Sequence, residues 1–292
     1  MIDFFVAGGE KCATTSLFKY LNVHPQVCMP KQKEIGFFAN DEIFKNGQTW
    51  YEEHFPYIPP QVSKKIIRGE VSPQYMFTFQ APLRMHMNYP DAKIIMILRN
   101  PVDRAFSAYR MLLNRKALNM SFSKAAENFI RINKNKALFE DFSTVNFLEA
   151  GHYSLIVKKY IDLFPRKNIF VAFTEDLNSQ PEIFMKRIHN FLSIEEDLNN
   201  KLIGKKFHEG GSIKFNALNL ILEYISKTDL RIISLLKSQF PGIGYWLRQW
   251  NIKKEIQSIS QIDRVKLTEY YSSDVEKLKK LLNQEVPWKD FS

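Results

Sequence analysis

Four short runs of this chain, Ile2–Gly8, Lys65–Val71, Lys93–Leu98 and Asn168–Thr174, are dense in Ile, Val and Phe with little polar alternation. Runs of that length and content predict strands buried on both faces. Around them apolar positions recur every three or four residues, which predicts helices over Thr14–Val23, Ala81–Tyr89, Val102–Arg115, Phe122–Lys134, Tyr153–Phe164 and Pro181–Phe191. Strand and helix in alternation imply crossover connections, hence an α/β fold with a central, mainly parallel sheet between two helical layers. From about Ser212 no strand pattern returns, and the amphipathic stretches Asn216–Ser238 and Gln261–Leu282 predict a helical C-terminal portion. No internal repeat, low-complexity tract or long linker interrupts the chain, so it reads as a single domain over 1–292, with its sheet in 1–211 and the helical portion in 212–292.

Composition fits that reading: 292 residues, 45% hydrophobic and 25% charged, suffice to bury a sizeable core. The chain has no run of about eighteen apolar residues and does not open on a basic, then apolar, leader, so a cytoplasmic protein without a transmembrane segment is expected. Lys and Arg number 41 against 31 Asp and Glu, which favours anionic ligands or surfaces but fits a solvated basic face equally. Cys12 and Cys28 are too few for a disulfide framework or a zinc site, and Cys12 reads as loop filler rather than a nucleophile. His24, His86, His152, His189 and His208 lack a Cys/His/carboxylate cluster and read as structural or solvated, so no metal is expected.

In sheets of this kind ligands bind beyond the carboxyl ends of the strands. The first predicted strand runs into Gly8-Gly9-Glu10-Lys11-Cys12-Ala13 and a helix opening near Thr14, a geometry that aims backbone N–H groups at one point and attracts phosphate. The spacing departs from the G-x-x-x-x-G-K-[ST] loop, because Ala13 precedes Thr14 and Lys11 lies two positions earlier. A nucleoside-triphosphate enzyme also needs a carboxylate for magnesium; Asp103 and Glu70 are nominees, but neither has the usual apolar-run-then-acid context. Taken alone, the loop fits a tight turn with Thr14 or Thr15 as N-cap just as well. A second candidate follows Lys93–Leu98, where Arg99 stands at the strand tip, Pro101 fits the first helical turn, and Ser107 lies about two turns along. An arginine fork plus a hydroxyl can grip a phosphate monoester, whereas a surface arginine and a helix-face serine are the plain alternative.

The segment Gly8-x-x-Lys11-x-Ala13-Thr14-Thr15-Ser16-Leu17 resembles the 5′-phosphosulfate loop of sulfotransferases that use 3′-phosphoadenosine 5′-phosphosulfate (PAPS), and Arg99 with Ser107 is similar to their 3′-phosphate motif. Similarity extends to Gly69–Tyr75, to Gly151–Ser154 with Tyr160 and Phe164-Pro165, and to Asn168–Leu177, so it covers most of Ile2–Gly211. The resemblance implies a PAPS-dependent sulfotransferase with a P-loop-like fold and its nucleotide-binding and catalytic core in 1–211. It implies cofactor contacts at Gly9, Lys11, Cys12, Ala13, Thr14, Thr15 and Ser16 for the 5′ end and at Arg99 and Ser107 for the 3′ end. Ala13 replaces the commoner glycine, and its methyl group asks the loop to keep φ negative there.

Lys33-Glu34-Ile35-Gly36-Phe37-Phe38, followed by Trp50-Tyr51, resembles the K-E-x-x-F-F segment of heparan-sulfate-type and related bacterial sulfotransferases. That resemblance implies Glu34 as the catalytic base and Lys11 as the cation that meets the departing phosphate. A surface glutamate before a buried Phe pair is the competing reading. Some heparan-type members carry a histidine where this chain has Gly36 and a lysine where it has Val71, so acceptor contacts made by those residues do not carry over. The aromatics Phe37, Phe38, Trp50, Tyr51 and Tyr75 suit stacking on a sugar or flat metabolite, and core packing explains them equally.

The stretch Lys201–Lys214 resembles the basic, glycine-containing loop that closes over PAPS, which implies further contacts from Lys206 and Phe207; a flexible solvated loop is the alternative. Phe240–Lys254 mixes aromatic and basic residues and reads as an acceptor mouth, a peripheral contact with an anionic membrane surface, or a packed turn. The expected reaction is transfer of the sulfuryl group to a hydroxyl, or less readily an amine, of a saccharide or small secondary metabolite, releasing adenosine 3′,5′-bisphosphate. The rivals are a P-loop kinase or nucleotide hydrolase and a nucleic-acid binder; the latter draws only on net charge, and no nucleic-acid partner is expected. Oligomeric state stays open.

Overall fold

Strand β1 (Phe4–Gly8) is buried at every position because both its faces are covered. Phe5 and Ala7 point into one apolar cluster and Phe4 and Val6 into another, the alternation that a pleated strand imposes. The computed structural model describes residues 1–59, 65–134, 146–197, 199–207 and 258–292, with the backbone of 212–213 and 252–253. After β1 come α1 (Thr14–Asn22), β2 (Val27–Cys28), α2 (Asp41–Phe44), α3 (Gly47–Glu52), β3 (Ile67–Val71), α4 (Ala81–Asn88), β4 (Lys93–Leu98) and α5 (Pro101–Asn114). There follow α6 (Phe122–Lys134), α7 (Tyr153–Ile161), β5 (Ile169–Phe173), α8 (Thr174–Ser179), α9 (Pro181–Leu192), β6 (Ser212–Ile213), β7 (Ile252–Lys253) and α10 (Gln261–Leu282).

The main sheet has the order β2-β3-β1-β4-β5, and each of its neighbouring pairs is parallel. One face packs on Val102, Ala105 and Leu112 of α5, Tyr153, Ile156 and Tyr160 of α7, and Leu267, Tyr271, Val275 and Leu278 of α10. The other packs on Leu17, Phe18 and Leu21 of α1 and Phe184, Met185, Ile188 and Leu192 of α9. Burial of such side chains stabilises by about 1.5–3 kcal/mol each, so this two-sided packing dominates the cohesion of the three layers. Because β1 sits between β3 and β4, the chain reverses its direction of sheet growth there, and a crevice opens beyond the carboxyl ends of β1 and β4.

Strand β4 and helix α10 have the bounds that periodicity predicts, while β3 begins two residues inside its predicted run. One expectation fails: β6 and β7 form a two-residue antiparallel pair after Ser212, where no strand was expected. Two-residue strands carry no period, so pattern alone misses them. The predicted helix Asn216–Ser238 lies outside the described residues, as does Phe240–Lys254 apart from the backbone of 252–253. Among the described residues no helix is long and apolar enough to cross a membrane.

Candidate active site

Strand β1 leads into the loop Gly9–Ala13, which the Gly9 N–H ties to β4 by donating to the Ile97 carbonyl at 2.7 Å. A side chain at Gly8 would place its Cβ 1.9 Å from Met76 Sδ, so this close approach requires glycine. Lys11 and Ala13 both adopt left-handed backbone, with φ of 65° and 61°. The negative φ expected at Ala13 is therefore wrong. The left-handed turn lets the Ala13 carbonyl accept from the N–H groups of Ser16 (3.0 Å) and Leu17 (3.2 Å) and starts α1, at a cost of about 1–2 kcal/mol that glycine would avoid. No side chain caps α1, so neither Thr14 nor Thr15 serves as N-cap, and the helix presents its N-terminus to the crevice.

Cys12 is fully buried and its thiol is pushed up to about 12, chiefly by that burial, which removes it as a nucleophile. Lys11 has its ammonium held below the ordinary lysine range by burial, with Arg99 and Arg115 adding to the effect and Glu10 opposing it. A cation crowded by two arginines is an environment that an anion would relieve.

Arg99 stands just past β4, and its Nη1 donates to the Lys11 carbonyl at 3.3 Å. Tyr153 Oη donates to the Arg99 carbonyl at 2.9 Å and lies 4.0 Å from Cys12 Sγ, joining the two strand tips from below. Asn100 caps α5 by accepting from Val102 N–H at 2.9 Å, with Pro101 at the first helical position as expected. Arg99 and Ser107 open onto one cavity of about 370 Å³, walled also by Asp103, Phe106, Arg110 and Arg264. Arg264, from α10, bonds Asp103 and Asp290 at 2.5 Å each. No local signal at Arg264 marks it as part of this wall.

The opposite side of the crevice rests on β3. The Glu34 N–H donates to the Val71 carbonyl at 3.2 Å, which sets Glu34 at the tip of the strand next to β1. Its carboxylate pairs with Lys33 and is 43% exposed. Gly36 has φ +71°, and a Cβ there would lie 1.9 Å from Gln74 Nε2, so a histidine would strain the backbone and displace the Gln74 amide. Val71, fully buried, likewise has no room for a solvated lysine head.

Beneath this loop sits Glu70, fully buried, a functional candidate that sequence reading undervalued. Its carboxylate accepts from Tyr51 Oη and Ser72 Oγ at 2.5 Å each, from Tyr75 Oη at 2.8 Å, and from Gly36 N–H at 3.4 Å. Burial raises its pKa, and these donors pull it back. Glu70 thereby ties the loop bearing Glu34 to the sheet. As a magnesium ligand it is badly placed, since its oxygens are already engaged, and Asp103 is committed to Arg264. Phe37, Phe38, Tyr51 and Tyr75 are all buried among themselves, so core packing accounts for them.

Phe207 reaches α1: its N–H donates to Ser16 Oγ at 3.3 Å and its ring lies 6.2 Å from that of Tyr20. Lys206 is exposed, and 208–211 of the same loop lie outside the described residues. Among the described residues no group of three or more His, Cys, Asp or Glu is placed to hold a metal ion.

Adjacent loops on β1 and β4 at a topological switch point stand where open α/β sheets bind their ligands. The chain belongs to the sulfotransferase-domain family, whose profile matches residues 1–210. It is similar to the human heparan sulfate glucosamine 3-O-sulfotransferase 5 (Homo sapiens), 28% identical over 189 residues, 65% of this chain and 52% of that protein. The human bifunctional heparan sulfate N-deacetylase/N-sulfotransferase 2 is 30% identical over 204 residues, 67% of this chain and 22% of that protein. The chain thus spans about half or less of the length of these curated relatives. The fold matches the crystal structure of a sulfotransferase from Alicyclobacillus acidocaldarius with a TM-score of 0.66 at 24% identity, over 98% of this chain and 97% of that one.

Proposed function

We propose that this chain transfers the sulfuryl group of PAPS to a hydroxyl of a small molecule or saccharide. The observation that carries this reading is the 3.3 Å contact between Arg99 Nη1 and the Lys11 carbonyl, which brings Lys11 and Arg99 together and so supports one doubly phosphorylated nucleotide bridging them. Lys11, the α1 N-terminus and the loop N–H groups suit the 5′ end; Arg99 and Ser107, on their shared cavity, suit the 3′-phosphate. PAPS supplies an activated sulfuryl group. In the transfer, the acceptor oxygen bonds to sulfur as the bond from sulfur to the 5′-phosphate oxygen breaks; Glu34 takes the acceptor proton and Lys11 meets the charge gathering on the phosphate.

Phe207, held against α1, suits a cover for the nucleotide, with Lys206 beside it. On the acceptor side, Gly36 and Val71 replace the polar residues of some heparan-type enzymes, which favours an acceptor less anionic than heparan sulfate. Titration of the purified chain with adenosine 3′,5′-bisphosphate, and with ATP plus magnesium, tests the reading. Micromolar or tighter retention of the bisphosphate is expected; retention of ATP with magnesium-dependent turnover, and none of the bisphosphate, would replace it with the kinase reading. Labelled PAPS offered with fractionated cell extract then identifies the acceptor by the product that carries the label.

A further inference from the structure

A carboxylate lines the cavity that Arg99 and Ser107 share: Asp103, one turn before Ser107 on α5. Unpaired, it would repel an incoming phosphate. Its Oδ1 instead accepts from Arg264 Nη2 at 2.5 Å, and the other arm of the same guanidinium, Nη1, donates to Asp290 at 2.5 Å. Asp290 also accepts from Asn100 Nδ2 at 2.8 Å, which joins the fork to the residue directly after Arg99. Both ends of this chain are anchored. Arg264 lies in the first turn of α10, where Ser260 Oγ caps the helix by accepting from the Asp263 N–H at 3.1 Å and Leu267 is fully buried. Asp290 follows the buried Trp288, whose ring centroid lies 5.8 Å from that of Tyr153 and 5.4 Å from that of Phe173. The carbonyl of the next residue, Phe291, accepts from Lys279 Nζ at 2.8 Å. Arg264, 27% exposed, thus reaches the cavity wall in a fixed plane, beside Arg99 and Arg110.

We propose that Arg264, aimed by Asp103 and Asp290, is a further contact for the 3′-phosphate and makes the chain select a 3′-phosphorylated nucleotide over a plain 5′-nucleotide. This rests on the reading of the crevice as a PAPS site. A guanidinium carries five N–H donors in a planar fork; two serve the carboxylates and set the plane, and the rest can meet phosphate oxygens. Arg264 with its two carboxylates holds no excess positive charge, so its share is directed hydrogen bonding, while Arg99 and Arg110 on the same cavity add the charge. Asp290 touches no ligand and is a positioning residue, acting through Arg264 and Asn100.

Two nucleotides that differ only in the 3′-phosphate separate this role from a structural one. Adenosine 3′,5′-bisphosphate and adenosine 5′-phosphate are titrated calorimetrically, at fixed ionic strength, into the parent, Arg264→Gln, Arg264→Lys and Asp290→Asn. The parent is expected to prefer the bisphosphate. Arg264→Gln is expected to bind the bisphosphate about tenfold or more weakly, with its affinity for the 5′-phosphate kept within about twofold. Asp290→Asn, which keeps the guanidinium but loosens its aim, is expected to lose about threefold for the bisphosphate alone. A salt bridge that only braces the fold would weaken both nucleotides together, or neither. Unchanged bisphosphate affinity in Arg264→Gln overturns the proposal, as does an equal loss for both nucleotides or a parent that does not distinguish them. Should Arg264→Gln fail to fold, Arg264→Lys and Asp290→Asn decide by the same preference, and a preference unchanged in both overturns it. A parent that does not bind the bisphosphate removes the site reading and this inference together, whereas a parent that prefers it, with the preference intact in the variants, removes this inference alone.

Discussion

The Lys11 loop gathers cations, with Arg99 and Arg115 pressing on Lys11, whereas the Glu34 loop rests on a buried anion, Glu70; the protein treats the two sides in contrasting ways. Glu70 is fully served, with three hydroxyls and a backbone N–H converging on its carboxylate. Lys11 is held below the ordinary lysine range by burial, with Arg99 and Arg115 adding to the effect and Glu10 opposing it. A satisfied buried carboxylate rigidifies what hangs from it, which is consistent with the role proposed for that side, holding Glu34 at the β3 tip. A cation crowded by other cations leaves charge to be balanced from outside, which is consistent with the anion site proposed for that side. The contrast parallels the proposed division of labour, affinity on the β1–β4 side and proton transfer on the β3 side.

The largest expected effect comes from erasing the β1–β4 side. Lys11→Ala should lower transfer by about 10³-fold or more and weaken bisphosphate binding with it, read by PAPS turnover and calorimetry. Unchanged affinity in that variant would break the division of labour. Glu34→Gln should lower kcat by on the order of 10²-fold or more while bisphosphate affinity stays within about threefold; activity equal to the parent would remove Glu34 as base.

Smaller effects sharpen the contrast. Glu70→Gln keeps the shape but turns an amide donor toward hydroxyls that are themselves donating, and should cost about 1–3 kcal/mol of stability. Hydrogen exchange should quicken across residues 33–38 and stay unaltered across 8–14, with nucleotide affinity kept; uniform acceleration of both loops would deny Glu70 its local role.

The smallest effect is a pair of pH slopes of opposite sign. His152, near Arg104, is held down to about 4 from 6.5 by burial, with Arg104 contributing. A depressed folded pKa makes its share of stability present above about 6.5 and lost as pH falls toward about 4, roughly 1 kcal/mol for the first unit. Glu70 is shifted upward, so its share is present below about 4.5 and lost as pH rises through its folded value. Urea melts across pH should therefore flatten on the acid side in His152→Gln and on the alkaline side of pH 4.5 in Glu70→Gln; the same slope in both would collapse the comparison.

By itself the sequence determined what depends on neighbours along the chain. Strand β4 and helix α10 are legible because five or more residues in a period report burial on known faces. The two candidate anion loops are legible as candidates because the residues that suggest them are consecutive or lie at set offsets along the chain. The short β2 and the β6–β7 pair are not, since two residues carry no period, and the left-handed backbone at Ala13 runs against the preference of its side chain. Only the tertiary structure decided that Glu70 is anchored by residues as far away as Tyr51, that Arg99 and Arg115 crowd Lys11, and that Arg264 walls the Ser107 cavity. A buried charge and a solvated one are written with the same letter; what separates them is the set of groups that folding brings against them from distant parts of the chain.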